Sequence, residues 1–237
     1  MKSIKVILAI ALAAVWVFGL RCSNKKTEEI KEVKDVDGNS YAVVKIGDQW
    51  WMAQNIQVTH YRNGDPIRYV PDSTEWGGLL EGAYCAYNND KEYVSTYGYL
   101  YNWYAVIDPR GFAPEGWHVP SDADWKRLER NLGMSRSQAD SIEWRGTAEG
   151  GKLKATGTWY WENYNTGATN ESGFSALPGG LRDFYGQYYS LGSLTYYWTS
   201  TQSRDYGAWY RHLYRGNANI QRSRYPEYYG LSVRCIK

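Results

Sequence analysis

The aromatic side chains carry most of this sequence's capacity for molecular recognition. Of 237 residues, 23 are Tyr and 12 are Trp, against only 4 Phe. Such rings pack through one face and hydrogen-bond at the tip. Two readings of the bias stand side by side. Large rings fill a thin core, or they form a recognition surface, where Tyr and Trp are preferred contact residues. The densest run is Trp159-Tyr160-Trp161, and Trp209 and Tyr214 flank a strand-like stretch further on. These five are the expected ligand contacts, because aromatic faces stack on sugar rings and anchor protein interfaces. On that reading Trp161→Ala abolishes ligand retention and leaves the fold intact.

Ionisable groups offer less. The three histidines, His60, His118 and His212, lie far apart and show no metal-ligand spacing. His118, between Trp117 and Val119, reads as a packed histidine. Asn88-Asn89-Asp90 is rich in oxygen but lacks the spacing of a calcium loop, so it reads as a solvated turn. There is no Gly-x-Ser-x-Gly elbow, phosphate loop or dinucleotide fingerprint. No catalytic residue, metal or cofactor is therefore expected. The enzymatic alternative, a polysaccharide-acting enzyme, needs two carboxyl groups brought about 5–10 Å apart by the fold. Between Arg204 and Arg234 lie six arginines and only two acids, interleaved with Tyr and Trp. This reads as a face for acidic glycans or as a solvated sheet face with Arg stems over rings.

The formal net charge is +2, and three of the positives, Lys2, Lys5 and Arg21, stand at the N-terminus. The remainder is close to neutral, against a general nucleic-acid binder. Lys2 and Lys5 precede an apolar run from Val6 to Leu20, shorter than the roughly 20 residues of a membrane span. Residues 1–21 read as a secretory signal peptide. Cys22 follows at once, in the position of a lipoprotein's acylated cysteine, although Arg21 departs from the small residue usual before it. Residues 22–35 then form a charged tether, too polar to fold alone.

The elements that position the aromatics are mostly short strands. Tyr41–Ile46 and Gln49–Met52 flank the turn Gly47-Asp48 and predict a hairpin. The clearest helix runs from about 121 to 132. Ser121 is its cap, Asp124 stands in for the Glu of a capping box, and Trp125, Leu128 and Leu132 make its apolar stripe. Gly133 ends it. Residues 136–144 suggest a second short helix. Tyr196–Thr201, Ala208–Tyr214, Ala218–Gln221 and Leu231–Ile236 predict a C-terminal antiparallel meander.

Five ordered stretches resemble the Fibrobacter succinogenes major paralogous domain. They are Asp37-Gly38-Asn39 through Asn55-Ile56, Tyr97–Val106, Gly116-Trp117-His118-Val119-Pro120, Gly173–Gly180, and Ser232-Val233-Arg234-Cys235. The resemblance covers about residues 35 to 237, with the folded domain taken as 36–237. It implies a secreted or surface protein, often a lipoprotein, with a fold similar to C-type lectins and formylglycine-generating enzymes. The expected class is thus α+β: a C-type-lectin-like domain with short antiparallel sheets, one main helix and long loops. Neither the calcium motifs of those lectins nor the thiol motif of those enzymes is present. Cys85 and Cys235 are able to pair in an oxidising envelope, closing a loop worth roughly 4–5 kcal/mol on the chain-entropy model. Alternatively one has lost its mate, since the family often carries Cys where this chain has Ala113.

The expected function is non-catalytic binding, to a glycan or an envelope protein, by an exported protein at the outer membrane or cell surface. Its contact with the membrane is through the lipid anchor only. A structural part of a surface assembly is the further alternative.

Overall fold

The computed structural model describes residues 30–237. The expected signal peptide, the acylated Cys22 and the tether as far as Glu29 lie outside the described residues. No helix among the described residues is long and apolar enough to cross a membrane.

The described residues build three sheets and six short α-helices, a mixed α and β architecture with no closed barrel among them. The first sheet is β1 (Glu32–Lys34), β2 (Ser40–Ile46) and β3 (Gln49–Met52) in that order. The second holds β4 (Arg68–Tyr69), β5 (Ala83–Cys85) and β6 (Leu100–Tyr101). The third contains β7 (Glu143–Arg145), β8 (Gly179–Arg182), β9 (Tyr188–Leu191), β10 (Leu194–Gln202), β11 (Ala208–Tyr214) and β12 (Ile220–Tyr225). Its strand order is β7-β12-β11-β10-β8-β9, antiparallel except for the β8–β10 pair. The helices are α1 (Ser73–Trp76), α2 (Val94–Tyr97), α3 (Trp103–Val106), α4 (Asp122–Asn131), α5 (Arg136–Asp140) and α6 (Glu149–Leu153).

The β2–β3 hairpin forms as predicted, with Gly47 at φ 62° in its turn. A Cβ there would also strike the Asn131 side chain at the end of α4. β1 corrects the tether: Glu32–Lys34 pairs with β2, so the domain begins before residue 36. The charged side chains there do not prevent pairing, because an edge strand spends only its backbone on the sheet.

α4 is the longest helix described, and its predicted cap is present. Ser121 accepts from the Asp124 backbone N–H, and the Asp124 carboxylate accepts from Ser121 N–H at 2.8 Å. Trp125, Leu128 and Leu132 bury against Trp51, Phe174 and Tyr197. The Trp51 and Trp125 rings meet edge-on with centroids 5.0 Å apart. α5 is shorter than expected, and Trp144 lies in β7 instead of on its face.

The polar residue on the inner face of α4 forms the strongest set of contacts. Glu129 is 0% exposed and accepts from Arg211 Nε at 2.6 Å and from Arg145 Nη2 at 2.7 and 2.8 Å. Two turns earlier, Asp122 takes Arg222 in a two-bond fork at 2.8 and 2.9 Å and also meets Arg211 at 2.9 Å. Burial alone would raise the Asp122 carboxyl; Arg222 and Arg211 hold it well below the usual range. Burial draws the Arg145 guanidinium down to about 10. This corrects both readings for three of the six arginines of the C-terminus. Arg211, Arg222 and Arg234 are core residues, available neither to acidic glycans nor to solvent.

Three further expectations change. The terminal segment is not a fourth meander strand. It threads between the sheets through single bridges, Tyr101↔Leu231, Tyr197↔Ser232, Trp51↔Ile236 and His118↔Ile236. Extended backbone at 117–119 sends Trp117 and Val119 inward and His118 outward, so His118 is exposed and not packed. Cys85 and Cys235 are both buried and unpaired, because they sit in separate parts of the core. Cys85 packs beside Trp76, while Cys235 shares its cluster with Met52 and Ala113.

Removing the charge of Glu129 leaves Arg145 and Arg211 buried without their acceptor. Glu129→Gln is therefore expected to cost about 3–5 kcal/mol, read by urea unfolding. Asp48→Asn, at an exposed pair with Arg127, is expected to change stability by less than about 1 kcal/mol. Equal effects of the two would remove the central role given to Glu129.

Candidate functional site

The five expected contacts do not converge. β11 points alternate residues to opposite faces, so Trp209 lies on the α4 side and Tyr214 on the other. Trp209 is half-buried, with the Arg222 guanidinium 3.5 Å and Arg224 5.3 Å from its ring centre. Trp161 is 0% exposed and packs in the core, its indole N–H donating to Ala176 O at 3.2 Å. It anchors the loop and contacts no ligand. Trp159 is 90% exposed and Tyr160 39%, both on the loop that Trp161 fastens.

That loop, 155–167, is pinned along its length. Lys154, itself fully buried, donates to Thr166 O, Tyr214 O and Asn217 O at 2.9, 3.0 and 2.8 Å. Burial lowers the Lys154 ammonium to about 8, and no carboxylate stands within salt-bridge distance of it. Asn165 Nδ2 donates to Ala155 O and Gly157 O, closing the loop on itself. Glu162 N–H donates to Gly192 O and Thr166 N–H to Arg215 O. Gly151 is required on α6, since a Cβ there would lie 2.0 Å from Gly167 O. The anchors are the buried Lys154 and Trp161, backbone groups and the half-buried Asn165, and the rings at the loop's tip stay outside.

Tyr164 and Arg215 join this surface, and neither was singled out as a contact from the sequence. The Tyr164 and Tyr214 hydroxyls are 3.4 Å apart, and Arg215 lies 5.0 Å from the Tyr164 ring centre. Arg215 donates to Glu162 O at 3.0 Å. Arg215 Nε and Asn165 Oδ1 are buried and have no partner among the described residues. The available signal was position: Tyr164 is three residues beyond Trp161, and Arg215 follows Tyr214.

Behind Tyr214, the same face of the third sheet carries an aromatic tract. Trp144, Tyr196 and Tyr210 surround His212 with ring centres 4.7, 5.1 and 5.8 Å away. His212 is 7% exposed, and neither ring nitrogen has a partner. Tyr210, Tyr225 and Tyr229 then stack in a column at 4.3 and 4.4 Å.

Asp37, Asp65, Asp72, Asp108, Asp122 and Asp140 all lie below the usual carboxylate value. A general acid for glycoside cleavage needs its carboxyl raised. A cleft of about 260 Å³ beside Arg62, lined by Phe112, Trp117 and Ser200 among others, contains no carboxylate. Among the described residues no three His, Cys, Asp or Glu side chains gather as a metal site.

Burial among rings pushes the His212 imidazole from 6.5 to about 3. The folded protein therefore keeps His212 neutral where the unfolded chain binds a proton. Stability is full above 6.5 and falls as pH drops towards 3, by about 1.4 kcal/mol per unit from this group. His212→Phe is expected to flatten unfolding free energy against pH over that window. An unchanged slope would contradict the neutral imidazole.

The model of the Fibrobacter succinogenes major domain matches residues 44–237. No curated protein and no solved structure matches the chain significantly. The matched span runs from β2 to the last residue and takes in α4, the pinned loop and the terminal bridging segment. The chain belongs to the Fibrobacter succinogenes major domain family.

Proposed function

We propose that this chain is an exported, lipid-anchored envelope protein whose domain binds a glycan without acting on it. The observation that carries this reading is Trp159, nine-tenths exposed on a loop held by buried anchors. A large ring kept in water at a fixed position is poised to stack on a sugar, with little ordering cost left to meet on binding. Tyr160, Tyr164 and Tyr214 widen the platform, and the Arg215 guanidinium lies 5.0 Å from the Tyr164 ring centre beside it. The carboxyl groups held low argue against hydrolysis. The near-neutral body argues against nucleic acid.

Two features support a C-type-lectin-like scaffold for this platform. Long loops are pinned over a small sheet core, and the first hairpin bonds to the C-terminus through Trp50 and Lys237. The basic start, the apolar run and Cys22 support export and acylation.

The test is retention on an array of glycans and envelope polysaccharides, using the chain from Ser23 onward, with and without EDTA. Wild-type protein should be retained equally in both. Trp159→Ala should reduce retention at least about tenfold, since base-like ring stacking is worth about 1–3 kcal/mol, and leave the melting temperature unchanged. Trp161→Ala should unfold the domain more readily, by about 3–5 kcal/mol. Retention of Trp159→Ala at the wild-type level would overturn the platform; a blank array with folded protein would point to a protein partner instead.

Anchoring is tested separately by fractionating cells that express the full chain. Wild-type protein should sediment with membranes and Cys22→Ser should not. Equal sedimentation would dismiss the lipid anchor.

A further inference from the structure

We propose that His212 is the polar floor of a second sugar-ring subsite, closed by Trp144 and continuous with Tyr214. This deepens the glycan reading and rests on it.

A buried imidazole with both nitrogens unbonded is a cost with no return inside the chain. Nearly all buried polar groups in folded proteins find a partner, and one left without a partner keeps its desolvation cost. His212 is 7% exposed, and both Nδ1 and Nε2 lack one. Burial alone holds the ring neutral. It therefore offers one N–H donor and one bare nitrogen acceptor together. The two nitrogens point to opposite sides of the imidazole, so hydroxyls on successive rings of an uncharged saccharide supply the matching acceptor and donor. An anionic ligand would meet no countercharge, because this imidazole resists protonation.

The walls suit the same ligand. Trp144, Tyr196 and Tyr210 ring the imidazole, and aromatic faces stack on the C–H faces of sugars. Trp144 is the movable wall. It sits on β7, three residues long and paired only to β12 at the sheet's edge. Its side of the strand is 41% exposed, so turning the indole away opens His212 without opening the core. Glu143, beside it, holds φ at 61°, a conformation that costs a non-glycine residue energy. The Glu143 carboxylate fixes that turn by accepting from Gln221 Nε2 at 2.6 Å.

The subsite joins the platform through one residue. His212 and Tyr214 lie on the same face of β11, about 7 Å apart along the strand. Trp144 is 6.5 Å from Tyr214, whose hydroxyl is 3.4 Å from that of Tyr164. A chain of sugars seated on the loop therefore continues directly over Trp144.

The protein has three histidines, so histidine-labelled protein gives a simple imidazole NMR spectrum, assigned with His212→Phe. The probes are neutral oligosaccharides of glucose, xylose, mannose and N-acetylglucosamine, titrated to millimolar concentration. A saccharide whose binding requires Trp159 is expected to shift the His212 signals. His212→Phe should bind it about tenfold more weakly, in line with the loss of hydrogen bonds from a buried group. Unmoved His212 signals at saturation would overturn the subsite while leaving the platform standing. If no saccharide binds, the platform falls and the subsite with it. If His212→Phe does not fold, the wild-type shift decides alone, with assignment from His60→Gln and His118→Gln.

Discussion

Glu129 holds Arg145 on β7 and Arg211 on β11 at once, from a helix that would otherwise lie on the sheet through apolar contacts alone. Apolar packing tolerates sliding and rotation; a buried carboxylate with two guanidinium partners does not. Such clusters add little net stability over a well-packed apolar core, since desolvation offsets the attraction, but losing one member is costly. The effect is to fix α4 in a single register on the third sheet. Asp122 repeats the arrangement two turns earlier with Arg222 and Arg211.

The same device holds the loops. A chain with this much irregular backbone has many carbonyls to satisfy away from water. Arg182 donates to Val70 O, Pro71 O and Gly186 O, and Arg234 to Phe174 O and Ser175 O as well as Asn55. Lys154 does so for residues 166, 214 and 217. Each cation gathers carbonyls from segments distant in sequence, so loops become fixed surfaces. The proposed platform needs this. Rings on a pinned loop lose little freedom when a ligand arrives, and binding keeps most of its contact energy.

Local signals were readable and long-range ones were not. The Ser121–Asp124 box, the Gly47 turn and the strand at 208–214 depend on neighbours a few residues away, and each formed as read. The ordered motifs identified the family. The arginines misled because an unpaired Arg is a surface residue by default. Their partners, Asp122 and Glu129, lie about 80 to 100 residues away. Trp161 and Trp159 are indistinguishable by type and spacing, and only the loop's path buries one and exposes the other. The cysteine pair failed for the same reason: no local feature says which part of the core receives each thiol. The burial of His212 was not legible either, since the alternation that buries it belongs to a sheet assembled from distant strands.

Hydrogen exchange across residues 155–167, compared between wild type and Lys154→Met, tests most directly whether buried cations make the loops rigid. The Glu162 and Thr166 amides, bonded to Gly192 O and Arg215 O, should exchange slowly in the wild type. Their protection should fall in Lys154→Met while that of α4 is retained. Rapid exchange of both amides in the wild-type protein would contradict the account, because the aromatic loop would then be mobile and its exposed tryptophan no platform.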